Sequence, residues 1–292
     1  MKTNHTTTQK QATDMPARIK TIMVPTDFST SANQALAYAL GIAKETAASI
    51  TLLHAYLVPI AIDIPVNPSD IENIRKDREN ELKKLAETNT LTSGVQVDYI
   101  IRSGLPVEAI IEQEAGFDLI VMGMKGAGEV QRFFLGSVTT MLLNRTKKPV
   151  IVIPLKTAYL KPSKIAFAYD GRGDIGNGNL SFLSVLKSSF HSQLQIITVN
   201  ESDVDKNEIN LTLNAKLGVN REACFQVEGE NLVKELNHFT ASQNTDLVVM
   251  IHHHYSTLGR VFHPSASKKM TFHTNIPLLV LPEEKVEELQ NS

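Results

Sequence analysis

Gly123, Gly126, Gly136 and Ser137 are spaced Gly, two residues, Gly, nine residues, Gly-Ser, directly behind the apolar run Asp118-Leu-Ile-Val-Met122. Without a Cβ, the main chain at such positions can approach an anion closely and turn several N–H groups toward one point. A buried strand that opens into a glycine loop and then a helix is suited to holding phosphate. Gly136, Ser137 and Val138 would begin that helix, whose first N–H groups have no intrahelical acceptor. Lys125 and Arg132 bring positive charge nearby. A second loop, Pro25-Thr26-Asp27, follows the run Thr21-Ile-Met-Val24, and Asp27 can accept hydrogen bonds from a ribose or base, or help to hold a metal. Taken singly these residues are ambiguous, since Asp27 is equally a turn residue, Gly123 a plain strand end and the two cations solvated surface. Their combination in one strand–loop–helix frame points to a phosphate ligand. The Walker A pattern is absent and no general base or water-positioning residue stands out, so hydrolysis would be slow at most.

Both loops reach one ligand only if the strands that carry them lie side by side. Hydrophobic periodicity supplies such a frame. Residues 21–24 read as a strand, and from Ser31 the positions Ala35, Leu36, Ala39, Leu40 and Ala43 recur at helical spacing, with Ser29 or Ser31 as cap. Residues 49–55 form the next strand, then a loop marked by Pro59, Pro65 and Pro68, then a charged helix over 69–87. An alternating strand over 95–102 precedes a helix over 107–115 opened by Pro106, and strands follow at 119–122 and 150–153. Alternating strands and helices imply right-handed crossovers and a parallel sheet covered on both faces.

The plan is then repeated. Shifted by 128, Asp118-Leu-Ile-Val-Met122 falls on Asp246-Leu-Val-Val-Met250, Ser137 on Ser265, Pro149 on Pro277 and Pro154 on Pro282, without a gap. Ile165-Ala-Phe-Ala-Tyr-Asp170 echoes Ile22-Met-Val-Pro-Thr-Asp27, and residues 193–199 and 223–227 supply the middle strands. The expected organisation is a disordered polar tail over 1–17, a first domain over 18–155, a joint near 156–162, a second domain over 160–283 and a tail over 284–292. The copy lacks the glycines: Ile251, His254 and Pro264 stand where Gly123, Gly126 and Gly136 would be. Side chains fill the space for close approach and proline removes a donor, so no nucleotide is expected there by the same mode. His252, His254 and His263 are candidate metal ligands in that segment, weighed against a polar loop with no ligand. His54 reads as a residue within a strand rather than a catalytic group.

A chain of 292 residues with 42% hydrophobic and 21% charged content is that of a globular protein with room for two cores. Its net charge of −2 gives no electrostatic reason to expect nucleic acid or an anionic membrane. The single cysteine, Cys224, reads as a small strand residue in a reducing compartment. No apolar stretch reaches the roughly 20 residues of a membrane span, so the cytoplasm is the expected location.

The glycine signature resembles that of the universal stress protein family, in its tandem two-domain form. Gly123, Gly126, Gly136 and Ser137 match the family's ATP-binding pattern in full, and Val24-Pro-Thr-Asp-Phe-Ser29, Leu52-Leu-His-Ala55 and Lys148-Pro-Val-Ile-Val152 also look typical. The resemblance is close over residues 18–155 and looser over 160–283. It implies two tandem Rossmann-like domains of the universal stress protein or adenine nucleotide alpha hydrolase-like type, each a five-stranded parallel sheet with helices on both faces. It also implies an ATP-binding protein with a regulatory or stress-response role. Pro25, Thr26, Asp27 and Ala55 would surround adenine and ribose; Met122, Gly123, Lys125 and Gly126 would line ribose and the first phosphates; Gly136, Ser137 and Val138 would hold the β- and γ-phosphates. ATP or a related adenine nucleotide, with Mg, is the implied cofactor. Members pair through the fifth strand, so the two domains could pair within the chain, and a homodimer is a further possibility. A weak ATP-hydrolysing enzyme, or a ligand- or zinc-sensing module built on the histidines of the second domain, are the alternatives.

Overall fold

The structure, a computed structural model, describes residues 18–58, 68–124, 135–169, 175–199, 213, 216–227, 232–252 and 276–284. Its strands are β1 (Thr21–Pro25), β2 (Ser49–Tyr56), β3 (Val97–Ser103), β4 (Leu119–Gly123), β5 (Val150–Ile153), β6 (Lys164–Tyr169), β7 (Gln193–Val199), β8 (Cys224–Val227), β9 (Leu247–His252) and β10 (Leu278–Pro282). The helices are α1 (Thr30–Thr46), α2 (Pro68–Ser93), α3 (Pro106–Gln113), α4 (Ser137–Leu143), α5 (Asn177–Phe190) and α6 (Leu232–Gln243). No helix among the described residues is long and apolar enough to cross a membrane.

Each half builds the same five-stranded parallel arrangement, and the halves join into one ten-stranded sheet ordered β3-β2-β1-β4-β5-β10-β9-β6-β7-β8. Read from its outer edge inward, the second half repeats the order of the first. Pairing is parallel within each half and antiparallel at the seam, where Leu278, Leu279 and Val280 of β10 lie opposite Val152, Ile151 and Val150 of β5. Both seam strands are apolar on both faces, as strands covered by helices on each side must be. One core cluster joins α1 and the sheet of the first half to Phe167, Phe182 and Leu279 of the second. The opposite face likewise joins Met122, Leu142 and Val152 to Leu236, Val248 and Leu278. The repeat extends to polar detail. Asp118 Oδ2 accepts the N–H groups of Lys20 and Thr21 at 2.7 and 3.1 Å, and Asp246 Oδ2 accepts those of Ser163 and Lys164 at 2.8 and 2.9 Å.

The segment that joins the halves runs along α1. Gln34 Nε2 donates to the Thr157 carbonyl at 2.6 Å, the Tyr159 ring meets Tyr38 edge-on at 5.0 Å, and Lys161 Nζ lies 2.8 Å from Glu45 Oε2. Gln34, Tyr38, Gly41 and Glu45 are spaced four, three and four residues apart and so share one face of the helix. Gly41 sits beneath Tyr159, and a Cβ there would fall within 2.5 Å of three ring carbons. Burial, with Tyr159 beside it, pushes the Tyr38 hydroxyl far above the ordinary tyrosine range, so this contact stays uncharged.

Gly41 generates a prediction of sign. At a solvated helix position, replacing glycine by alanine gains roughly 0.5–1 kcal/mol. Beneath Tyr159 the added methyl forces the ring away, an overpacking cost of about 1–3 kcal/mol. Gly41→Ala is therefore expected to lower the urea midpoint at an unchanged slope. A midpoint at or above that of the parent chain would show that the joining segment is not docked on α1.

Candidate functional site

In the first half, β1 lies between β2 and β4: the chain runs outward from β1 to β2 and β3, then crosses back to β4 and β5 on the other side. That reversal opens a crevice beyond the C-terminal ends of β1 and β4, where ligands of open α/β sheets bind. Ile22 and Met23 pair with Leu119 and Ile120, so the loops that follow the two strands start side by side.

The loop after β1 is rigid for identifiable reasons. Thr26 N–H donates to the Leu53 carbonyl at 2.8 Å, and its Oγ1 accepts the Phe28 N–H at 3.0 Å. Asp27, exposed, accepts the Ser29 N–H through Oδ1 at 3.1 Å, and Ser29 caps α1 by accepting the Ala32 N–H at 3.2 Å. His54, buried within β2, lies with Nδ1 2.8 Å from the Thr26 carbonyl, which makes Nδ1–H the donor. Phe28 holds a left-handed φ of 62°, an uncommon conformation for a bulky residue and one found where surrounding contacts enforce it. Its ring packs on the His54 ring at 4.6 Å, with the Arg78 guanidinium 6.0 Å from its centre. Sequence reasoning misses both Phe28 and the anchoring role of His54, and a strained φ at a phenylalanine leaves no trace in composition or spacing. Pro25 ends β1 and Ala55 is the next-to-last residue of β2, both half-buried.

At the end of β4 the predicted residues divide. The Met122 side chain is packed in the core, so it can face a ligand only with its main chain. Gly123 permits a close approach, but by α1: a Cβ there would lie 2.7 Å from the Ser31 carbonyl oxygen and 2.8 Å from its carbon. Met124 N–H donates to Ile153 at 2.9 Å, Gly136 N–H closes the loop onto Met124 at 2.7 Å, and the buried Thr139 hydroxyl donates to the Gly123 carbonyl at 3.2 Å. Gly136 caps α4 without a side-chain hydrogen bond, leaving the first-turn N–H groups of Ser137 and Val138 no acceptor from their cap. Lys125, Gly126 and Arg132 lie outside the described residues.

In the second half, Ile251 is buried in the core and His252 is 3% exposed, with Nε2 3.0 Å from Asn144 Oδ1 of the first half. His254 and His263 lie outside the described residues, among which no group of three or more potential ligands could hold a metal ion. The start of α5, which corresponds to the start of α1, is occupied by the chain itself. Glu284 accepts the Asn179 N–H through Oε1 at 2.5 Å and the Gly178 N–H through Oε2 at 3.2 Å. Gly176, at φ 80°, makes room, since a Cβ there would come within 2.8 Å of the Glu284 Cβ. The sequence places Glu284 at the start of a tail; its carboxylate instead fills the helix end that would favour an anion.

The His54 anchor carries a prediction. His54→Leu keeps an apolar body in the strand but leaves the Thr26 carbonyl without its donor, at a cost of about 1–3 kcal/mol. The Phe28 and Ser29 amides are expected to exchange faster by NMR, with the β1 amides unchanged. Unaltered protection of the loop would show that His54 does not hold it.

The universal stress protein family model matches residues 18–154. A universal stress protein of Thermus aquaticus is 34% identical over 136 residues, covering 46% of this chain and 98% of its own length. One from Synechocystis is 24% identical over 290 residues, covering 89% of this chain and 99% of its own. The crystal structure of a universal stress protein from Archaeoglobus fulgidus, 20% identical, covers 93% of this chain and 99% of its own with a TM-score of 0.71, a likeness of fold. The chain belongs to the universal stress protein family.

Proposed function

We propose that the first half binds an adenine nucleotide, ATP or a close relative, one per chain, and that its occupancy serves a regulatory role in the stress response. The observation that carries this reading is that β1 and β4 are neighbours, so that the Thr26–Ser29 loop and the chain that leaves Gly123 start side by side at the strands' C-terminal ends. Pro25, Thr26, Asp27 and Ala55 take the adenine and ribose, the carboxylate of Asp27 accepting from the sugar hydroxyls. Met122 and Gly123 contribute main chain, Lys125 and Gly126 the first phosphates, and Gly136, Ser137 and Val138 the outer phosphates. Mg fits as a companion to the phosphates, because such an ion is held by one or two carboxylates plus phosphate oxygens and Asp27 is the exposed carboxylate at hand. Glu284 at the start of α5 and the buried side chain of Ile251 in β9 support one nucleotide rather than two. The cytoplasm is the location this reading assumes.

Titration of ATP and Mg into the full chain should give about one site, with Asp27→Ala weakening binding roughly 10- to 150-fold for the loss of hydrogen bonds to a charged group. Unchanged affinity in that variant, or two equivalent sites, would overturn the assignment. Rapid phosphate release by the parent chain, abolished in Asp27→Ala, would make the protein an ATPase instead. Gly123 is a poor probe here, since a side chain at that position disturbs α1 before it meets any ligand.

A further inference from the structure

The second half reaches the helix behind the nucleotide motif through a buried side chain. His252 ends β9 at the position that corresponds to Met124, so it sits where the copy has lost its glycines. Its Nε2 lies 3.0 Å from Oδ1 of Asn144, the C-cap of α4. Asn144 Nδ2 donates to the Thr140 carbonyl inside α4 at 2.7 Å, which leaves Oδ1 to accept and makes His252 Nε2–H the donor. α4 spans seven residues, too few to keep its place by its own hydrogen bonds. Its first turn is tied to β4 through Gly136 and Thr139. Beyond its far end, Arg145 also grips Glu108 of α3 at 2.5 and 2.7 Å, but those side chains are 43% and 46% exposed and water screens the pair. His252 is buried, where a hydrogen bond is stronger and its loss costs more. The seam adds to this hold, because β10, the neighbour of β9, pairs with β5, the strand that follows α4.

We infer that His252 is a positioning residue for the first half's nucleotide site, acting through Asn144 to hold α4 and with it the Gly136–Ser137–Val138 turn. The inference rests on the nucleotide reading above. It makes the second half a support for the kind of site that its own residues no longer form.

The test uses the full chain and two variants. His252→Leu suits the apolar surroundings but cannot donate, whereas His252→Gln places an amide donor near the position of Nε2. ATP affinity is expected to fall about three- to tenfold in His252→Leu, the worth of one hydrogen bond, and to stay within about twofold in His252→Gln. Without nucleotide, the α4 amides should exchange faster in His252→Leu and not in His252→Gln, with β1 and β2 unchanged. Parental affinity and parental α4 exchange in His252→Leu would overturn the inference. Equal losses in both variants would also overturn it, by assigning the effect to the packing of the ring. If the parent chain takes up no ATP, the nucleotide reading fails by itself, and the exchange comparison at α4 alone decides whether His252 positions the helix.

Discussion

The antiparallel pairing of β5 with β10 is the contact on which the rest of the molecule depends. Each strand is buried on both faces, so neither could present its unpaired N–H and C=O row to water without exposing apolar side chains with it. Each supplies the edge that the other lacks. Because both core clusters cross this seam, loss of the pairing would open two apolar layers as well as a ladder of hydrogen bonds. The joining segment reinforces the arrangement from outside, laid along one stripe of α1 with Tyr159 seated over Gly41.

Antiparallel pairing also decides what the halves can do for each other. Strands running in opposite senses put the two strand-end crevices at opposite margins of the sheet. The C-terminal end of β9 therefore comes up beside the C-terminal end of α4, far from the crevice above β1 and β4. His252 meets Asn144 for that reason, and a parallel seam could not bring them together.

Much of this was legible in the sequence. Strand positions follow from short apolar runs, and the cap at Ser29 and the proline at the start of α3 fall where capping chemistry puts them. The charged helix is longer than its pattern suggests. It continues from Glu87 to Ser93 through residues that favour turns, and there Asn89, Thr92 and Ser93 turn their side chains back onto the carbonyls of Leu85, Thr88 and Asn89 instead of ending the helix. The glycine spacing marks Gly123 as a place of close approach but cannot say what approaches there. That neighbour is Ser31, more than ninety positions away in sequence. The same holds for Gly41 beneath Tyr159 and Gly176 beside Glu284. A single sequence carries the demand for a small residue and not the identity of the group that imposes it. The two parallel sheets were legible singly, and the resemblance implied that they pair through their fifth strands; the antiparallel register of β5 against β10 is encoded by no local pattern.

The asymmetry between the copies has a physical logic. A duplicated half must keep its strands to complete the seam, and the second half has kept them. Its strand-end crevice is under no such constraint, and there three of the described residues make contacts within the chain. Ile251 joins the core, His252 reaches across to α4, and Glu284 supplies from within the chain the negative charge that a helix start favours. An internal carboxylate is held at high effective concentration by the strand that carries it, so a dissolved anion competes with it poorly. At that end of the second half, Ile251, His252 and Glu284 thus all serve contacts within the chain.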